Sequence, residues 1–301
     1  MSGRKHNRVL GLALLAVPVL FAAIGFLQVR IEAAETQTAA RQKEELLLRS
    51  GAVLKTVSLG YDSLLGEVYW TRTVQYYGSR IGKPGEKFEL LWPLLDITTT
   101  LDPRLVVAYR FGAIFLSEPA PTGADQPDLA VELVKRGVAA NPDSWELSSD
   151  LGFLYYWHLK DYEKASAAYL QGSKIPSAPT WLKMMAAQVA EKGNSFSNSL
   201  AIWSELYETT QNEKVKKSAF EHLRSLHALQ DTFELNKLAE QYRKQYGSYP
   251  ASMEQLYERG LLQGLPQDPA GFPYSFGADG RAQLDPNSPI TLPKASEGPT
   301  Q

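Results

Sequence analysis

The stretch Ser144-Trp-Glu-Leu-Ser-Ser-Asp-Leu-Gly-Phe-Leu-Tyr-Tyr-Trp-His-Leu-Lys-Asp-Tyr-Glu-Lys-Ala-Ser-Ala-Ala-Tyr-Leu-Gln-Gly-Ser-Lys-Ile-Pro-Ser177 reads as two short helices joined by a turn. Leu151, Gly152 and Tyr155 sit at i, i+1 and i+4 on the first helix, and Ala165, Tyr169 and Gly172 at i, i+4 and i+7 on the second. Such spacings keep side chains on one helical face. The small residues Gly152 and Ala165 let the two helices approach closely, while Tyr155 and Tyr169 fill the space around them. Pro176 ends the second helix, because it lacks an N–H and its ring clashes with the preceding turn.

This pattern resembles the tetratricopeptide repeat (TPR): Leu-Gly-x2-Tyr on helix A, Ala-x3-Phe/Tyr on helix B, then Pro. The turn Trp157-His158-Leu159-Lys160 is one residue longer than the family's. Upstream, Phe111, Gly112 and Phe115 repeat the helix A spacing. Ala130, Val134 and Gly137 repeat the helix B spacing, and Pro142 closes the unit. The Pro/Gly-rich insertion between them, residues 117–127, is predicted as a loop. One unit earlier, Leu65, Gly66 and Tyr69 open a helix to about Tyr77. Leu91, Leu95 and Thr98 mark its partner, with Pro103 behind. Downstream the pattern weakens. Residues 181–190 and 199–209 form one predicted hairpin, and 214–229 with 232–246 another. This last pair continues or caps the stack, its polar outer face supplied by Lys214, Lys216, Lys217 and Glu221.

A chain of 301 residues accommodates about two domains or one elongated array of repeats. Its net charge of −2 disfavours nucleic acid as a partner. The absence of Cys removes disulfides, thiolate chemistry and Cys-ligated zinc. Near the N-terminus, Arg4, Lys5 and Arg8 precede an apolar run, Val9 to Val29, interrupted only by Pro18 and Gln28. At about 1.5 Å per residue a helix of this run spans about 31 Å, the thickness of a bilayer core. The run exceeds the about 7–15 apolar residues of a cleaved signal peptide, so an uncleaved anchor is the expectation. The basic cluster places residues 1–8 in the cytoplasm. Residues 9–29 are then a transmembrane helix, 30–57 a juxtamembrane helix or linker, and 58–246 the helical repeat domain. The bulk lies on the extracytoplasmic, periplasmic side of a bacterial-type inner membrane.

After Tyr246 the composition changes. Ser252 is placed to cap a short helix through Glu258 that Gly260 ends. Phe272–Phe276 and Arg281–Leu284 flank Gly277–Gly280, a plausible four-residue hairpin loop. Residues Tyr242, Gly247, Tyr249, Pro250, Leu256, Leu265, Pro266, Asp268, Pro269, Gly271, Pro273 and Tyr274 resemble the C-terminal region of major pseudopilins of type II secretion systems. Ala270 stands where that family usually has Trp. The resemblance covers one small supersecondary unit, residues 247–284, and no prepilin leader precedes the apolar run. It implies a pilin-like cap on a helical array, with 232–246 replacing the end of the long pilin helix. It also implies Asp268, Asp279 and Asp285 as candidate calcium ligands, against their ordinary use in turns. Residues 285–301 are Pro/Ser-rich and are expected to be a disordered tail.

No catalytic signature is present: no Gly-x-Ser-x-Gly, no phosphate-cradling Gly loop, no His-Glu-x-x-His. His222 and His227 are five apart and share no face for zinc. No cofactor and no metal site is therefore expected. The TPR resemblance implies a concave binding face at Glu67, Trp70, Tyr109, Phe153 and Tyr156. Aromatic side chains suit such a role because they bury much area at low entropy cost.

The fold expected is mostly α: a TPR-like α-solenoid of helical hairpins after one transmembrane helix, with a small α+β C-terminal unit of short helix plus β-hairpin. The function expected is a membrane-anchored scaffold or adaptor for a protein or peptide, since a solenoid offers a long open surface. The pseudopilin resemblance points its partners toward secretion or type IV pilus components. The alternative is an accessory subunit of envelope polysaccharide or cell-wall synthesis that holds glycan on exposed aromatics. An enzyme of unrecognised type ranks last.

Overall fold

A computed structural model of the chain describes residues 50–293. The predicted tail 1–8, the transmembrane helix 9–29 and the juxtamembrane stretch up to residue 49 lie outside the described residues. Among the described residues, no helix is long and apolar enough to cross a membrane. What is described is mostly helical, with one small antiparallel sheet of two strands.

A short helix α1 (Gly51–Val57) comes first, its N-terminal N–H groups capped by Ser50. Four helical hairpins follow: α2 (Asp62–Arg80) with α3 (Leu91–Leu101), α4 (Val106–Ser117) with α5 (Pro127–Ala140), α6 (Trp145–Phe153) with α7 (Tyr162–Ser173), and α8 (Thr180–Lys192) with α9 (Phe196–Thr209). From α2 onward each helix packs on the next in sequence, α1 packs on α3, and α4 also meets α6. Pro103, Pro142 and Pro176 each lie just beyond a helix end, as their missing N–H requires.

Glycines set the close approaches. A Cβ added at Gly152 would lie 2.8 Å from the Tyr169 ring, and one at Gly137 2.8 Å from the Tyr109 ring. Tyr155, Ala165 and Tyr169 are buried as their spacing predicts. The residue by which the α6–α7 turn exceeds the repeat pattern is not a longer turn. It is absorbed as a π-helical segment, Leu154–His158, with Leu159 N–H donating to Leu154 O at 3.2 Å. A one-residue insertion that widens a helix turn keeps the faces before and after it in use. Trp157 and His158 therefore belong to the helix, and Lys160, at φ 55°, makes the turn.

The insertion 117–127 is a loop, and an ordered one. Ala124, Asp125 and Gln126 N–H groups return to the carbonyls of Phe115, Glu118 and Leu116, and the Tyr77 hydroxyl donates to Thr122 O at 2.6 Å.

The predicted helical pair 214–229 and 232–246 is one continuous helix, α10 (Glu213–Tyr246). No Gly or Pro interrupts it, so nothing forces a turn at Asp231–Thr232. Asn212 caps its start, and Gly247, at φ 83°, ends it in the left-handed conformation. The first half of α10 packs on α9. The second half carries a small second core: Leu235 and Tyr242 with Met253, Leu256, Tyr274 and Ala282. These belong to α11 (Met253–Glu258) and to the hairpin β1 (Ser275–Phe276) and β2 (Ala282–Gln283), paired Ser275 with Gln283 and Phe276 with Ala282. The boundary expected at residue 246 thus falls inside a shared core. The hairpin is pinned to α10 twice: Tyr274 hydroxyl to Asp231 Oδ2 at 2.9 Å, and Ala282 N–H to Asn236 Oδ1 at 2.8 Å.

The expected disordered tail 285–301 needs correction for its first part. Ser288 N–H donates to Asp285 O at 2.9 Å, the Ser288 hydroxyl donates to the Asp268 carboxylate, and Ile290 is buried. Short-range Asp and Ser turns hold this segment against the unit despite its polar composition. Residues 294–301 lie outside the described residues.

Candidate functional site

Helix α4 is apolar nearly all round, so it cannot bury every side. Ala108, Tyr109, Gly112, Ala113 and Leu116 face inward. Val107, Phe111 and Ile114, at i, i+4 and i+7, remain exposed. On α6 the corresponding outward pair is Phe153 and Trp157, 48% and 56% exposed, their rings stacked at 6.3 Å and 8°.

The two helices are tied in parallel. Arg110 Nε donates to Asp150 Oδ2 at 2.7 Å. Further along both helices, the Glu118 carboxylate acts electrostatically on His158. Both pairs are separated by the same number of residues, as neighbouring helices running side by side require. Ile114 and Phe153 therefore come one helical turn past the ion pair. Burial pushes the Asp150 carboxyl up from its ordinary value, and Arg110 only partly offsets this. The pair sets register between the helices more than it adds stability.

Cations crown the far end of this face. Lys160 Nζ lies 4.7 Å over the Trp157 ring, and Lys192 Nζ 4.6 Å over Tyr156. Lys135 and Lys164 flank the Tyr155 ring at 5.9 and 5.7 Å. At these distances the ring faces attract the cations. His158 Nε2 is buried without a hydrogen-bond partner, and burial lowers the His158 pKa, which keeps the ring neutral.

The five residues expected to line a face are not brought together as one set. Glu67 is exposed on α2. Trp70 is half-buried, stacked at 6.2 Å on Phe115. Tyr109 is 2% exposed and fills the space at Gly137, so it is a core residue and no part of a surface. Burial pushes its phenol up from the ordinary value. Phe153 is on the exposed face. Tyr156 is half-buried beside it, its hydroxyl accepting from Lys192 Nζ at 2.8 Å and its ring tilted on Tyr162.

Phe111, Ile114 and Trp157, outside those five, are exposed with Phe153. The Leu-Gly-x2-Tyr spacing sets Phe111 at the first position of the helix A pattern. Seating Tyr109 against Gly137 turns α4 so that Phe111 faces out. The apolar periodicity of Val107, Phe111 and Ile114 was the available signal.

Elsewhere, polar clusters serve the fold. Glu191 Oε1 accepts from Trp203 Nε1 at 2.7 Å and Ser199 Oγ at 3.0 Å, and lies 3.1 Å from His222 Nδ1. The His222 ring stacks on Trp203 at 4.2 Å. The three carboxylates considered for calcium do not fit a shared ion. Asp268 Oδ1 takes the N–H groups of Ala270 and Phe272, and its other oxygen takes Ser288. Asp279 and Asp285 each accept the N–H two residues on, from Arg281 and Asn287. All three are turn-formers, and among the described residues no three metal-ligating side chains of His, Cys, Asp or Glu converge.

No protein-family model matches the chain, and comparison with curated proteins gives no match.

Proposed function

We propose that the chain is a membrane-anchored, extracytoplasmic adaptor. In this reading its hairpins form a TPR-like α-solenoid that binds a protein or peptide on the outward faces of α4 and α6. The observation that carries it is the exposed set Phe111, Ile114, Phe153 and Trp157 on two parallel helices joined by Arg110 and Asp150. Large apolar side chains left in water on adjacent helices are what a partner covers, and aromatic anchors dominate such interfaces. The anchor rests on the apolar run 9–29, and the direction toward a secretion or type IV pilus assembly rests on the pseudopilin-like residues 247–284.

The test is crosslinking of the full-length chain in its native cell, with copurifying proteins identified. Truncation at 246 is a poor comparison, because it strips Leu235 and Tyr242 of their cover. Point changes on exposed residues are cleaner. Partners lost with Phe153→Ala and Trp157→Ala place binding on α4 and α6. Partners lost only with Tyr257→Ser and Leu265→Ser place it on the C-terminal unit. Loss of neither sinks the adaptor reading. The near-parallel Phe153 and Trp157 rings also suit the face of a sugar ring. Glycan retention that depends on those two residues, without a protein partner, would favour the polysaccharide-synthesis accessory instead.

A further inference from the structure

The α1–α2 turn presents apolar side chains that are exposed among the described residues. Leu59 is 86% exposed, the most exposed large apolar side chain described, and Tyr61 is 69% exposed. Val53 and Val57 on α1, and Leu64 and Val68 on α2, are exposed on either side of it. Each of these pairs is spaced i, i+4, so each marks one outward helical face.

The exposure does not come from looseness. The other face of α1 is engaged: Leu54 is buried, and a Cβ at Gly51 would lie 2.6 Å from Thr100. Tyr61 N–H donates to Ser58 O at 3.0 Å, and the Ser58 hydroxyl joins Lys55 O at 2.7 Å and the Asp62 carboxylate. Leu59 sits at φ 53°, a left-handed conformation that disfavours a side chain, followed by Gly60 at φ 90°.

We propose that this turn docks on a lipid bilayer, with Leu59 seated at the boundary between headgroups and acyl chains and Tyr61 at headgroup level. The composition fits an interfacial contact. Apolar side chains carry the insertion, Tyr has an apolar body and a polar tip, and Lys55 is exposed beside them. The carboxylate at the turn, Asp62, is half-buried and engaged by Ser58, and the next one along the sequence is Glu67, beyond Leu64 on α2. Chain length supplies the occupant. Residues 30–49 separate Ser50 from the apolar run 9–29. At about 3.3–3.6 Å per residue this tether reaches at most about 70 Å, and about 30 Å if helical. Ser50 caps the start of α1, so the tether ends one short helix, about 10 Å, before the Leu59 turn. A tethered contact needs little intrinsic affinity, because the bilayer is always at high effective concentration. The docking rests on the anchor reading given above.

The chain has no Cys, so Leu59→Cys in the full-length protein accepts one environment-sensitive fluorophore. Ser177→Cys, on the exposed turn after α7, is the comparison site. Both are reconstituted in phosphatidylethanolamine–phosphatidylglycerol vesicles at three to one, on the order of native inner-membrane charge. The expected result is blue-shifted emission at position 59, quenched several-fold more strongly than at 177 by lipids spin-labelled near the headgroup. Flotation with the vesicles, but water-like emission at 59, overturns the docking and leaves the anchor standing. Failure to float removes the anchor and the docking with it. A shielded probe that lipid does not quench, but that crosslinks to a second copy, overturns the docking in favour of self-association.

Discussion

The ring of Tyr169 on α7 lies against the bare Cα of Gly152 on α6, where an added Cβ would come within 2.8 Å of Cδ1. The residue pair that makes the stretch 144–177 legible as a hairpin is therefore one of its close contacts, beside Gly172 against Ser148. Gly152→Ala should cost about 1–3 kcal/mol, since a buried ring has to move to admit the methyl. Gly78→Ala is the matched comparison: Gly78 lies within α2 and a Cβ there meets nothing within 4 Å. It should gain about 0.5–1 kcal/mol from helix propensity alone. Opposite shifts in thermal midpoint are expected. Two shifts of the same sign would mean that the Gly152 contact does not limit the approach of α6 and α7.

Glu191 makes an acid-sensitive joint between α8, α9 and α10. Burial alone would raise its pKa, but hydrogen bonds from His222, Trp203 and Ser199 outweigh this and hold it below the ordinary value. A depressed carboxyl pKa stabilises the fold above the unfolded value of about 4.3, and that stability is lost as pH falls through the folded pKa. Glu191→Ala should cost about 1–3 kcal/mol at neutral pH, because the indole N–H of the buried Trp203 loses its acceptor. Denaturant titration of both proteins from pH 7 downward checks it. The gap between them should narrow in acid.

Two buried tyrosines set the alkaline limit. Burial pushes Tyr169 up to about 12, with Tyr156 and Asp150 adding to the rise. Tyr274 is raised further, by burial first and then by its bond to Asp231. A raised phenol pKa means that the neutral form is favoured in the fold. Its contribution is complete below the unfolded value of about 10 and is lost as pH rises through the folded pKa. Tyr169 should therefore drain stability between pH 10 and about 12. Tyr274→Phe should lower stability at neutral pH, because Asp231 loses its donor, and should flatten the decline above pH 10. Urea midpoints at pH 8 and at pH 10–11 decide it. A decline as steep in the variant would remove Tyr274 as a cause.

The small-residue and aromatic spacing of the α6–α7 hairpin was readable, because it encodes the contact of Gly152 with Tyr169. Two other features were not readable for physical reasons. Helix α4 is apolar on nearly every side, Arg110 apart, so its periodicity groups Val107, Phe111 and Ile114 on one face without saying whether that face or Tyr109's is buried. The packing at Gly137 decides, and it buries the residue expected on the surface. Helix α10 holds Asp231 and Thr232 at its middle, which looked like a break. Asp231 answers to the Tyr274 hydroxyl, brought in by a hairpin more than forty residues later, while the Thr232 hydroxyl donates back to Leu229 O. A long-range partner of that kind leaves no local mark. The π-helical segment was visible only as a turn one residue too long.

The exposed face offers the sharpest separation of function from fold. Phe153 and Trp157 stack on each other in solvent, and neither belongs to the buried core. Replacing both with Ala should change the unfolding free energy by little, about 0.5 kcal/mol per exposed site. The same change at Tyr155, 6% exposed and two residues from Phe153, should cost about 3–5 kcal/mol through the cavity it leaves. If a partner covers the face, the double variant should lose at least about 2 kcal/mol of binding, roughly thirtyfold in Kd, as aromatic anchors at interface centres do. The partner captured by crosslinking supplies the titrant, and the variant's circular dichroism and thermal midpoint show whether the fold is intact. An unchanged Kd with an unchanged midpoint would leave the face as exposed apolar surface with no partner. A midpoint that falls as far as that of Tyr155→Ala would mean that Phe153 and Trp157 support the π-helical segment from outside, and that their exposure serves α6 itself.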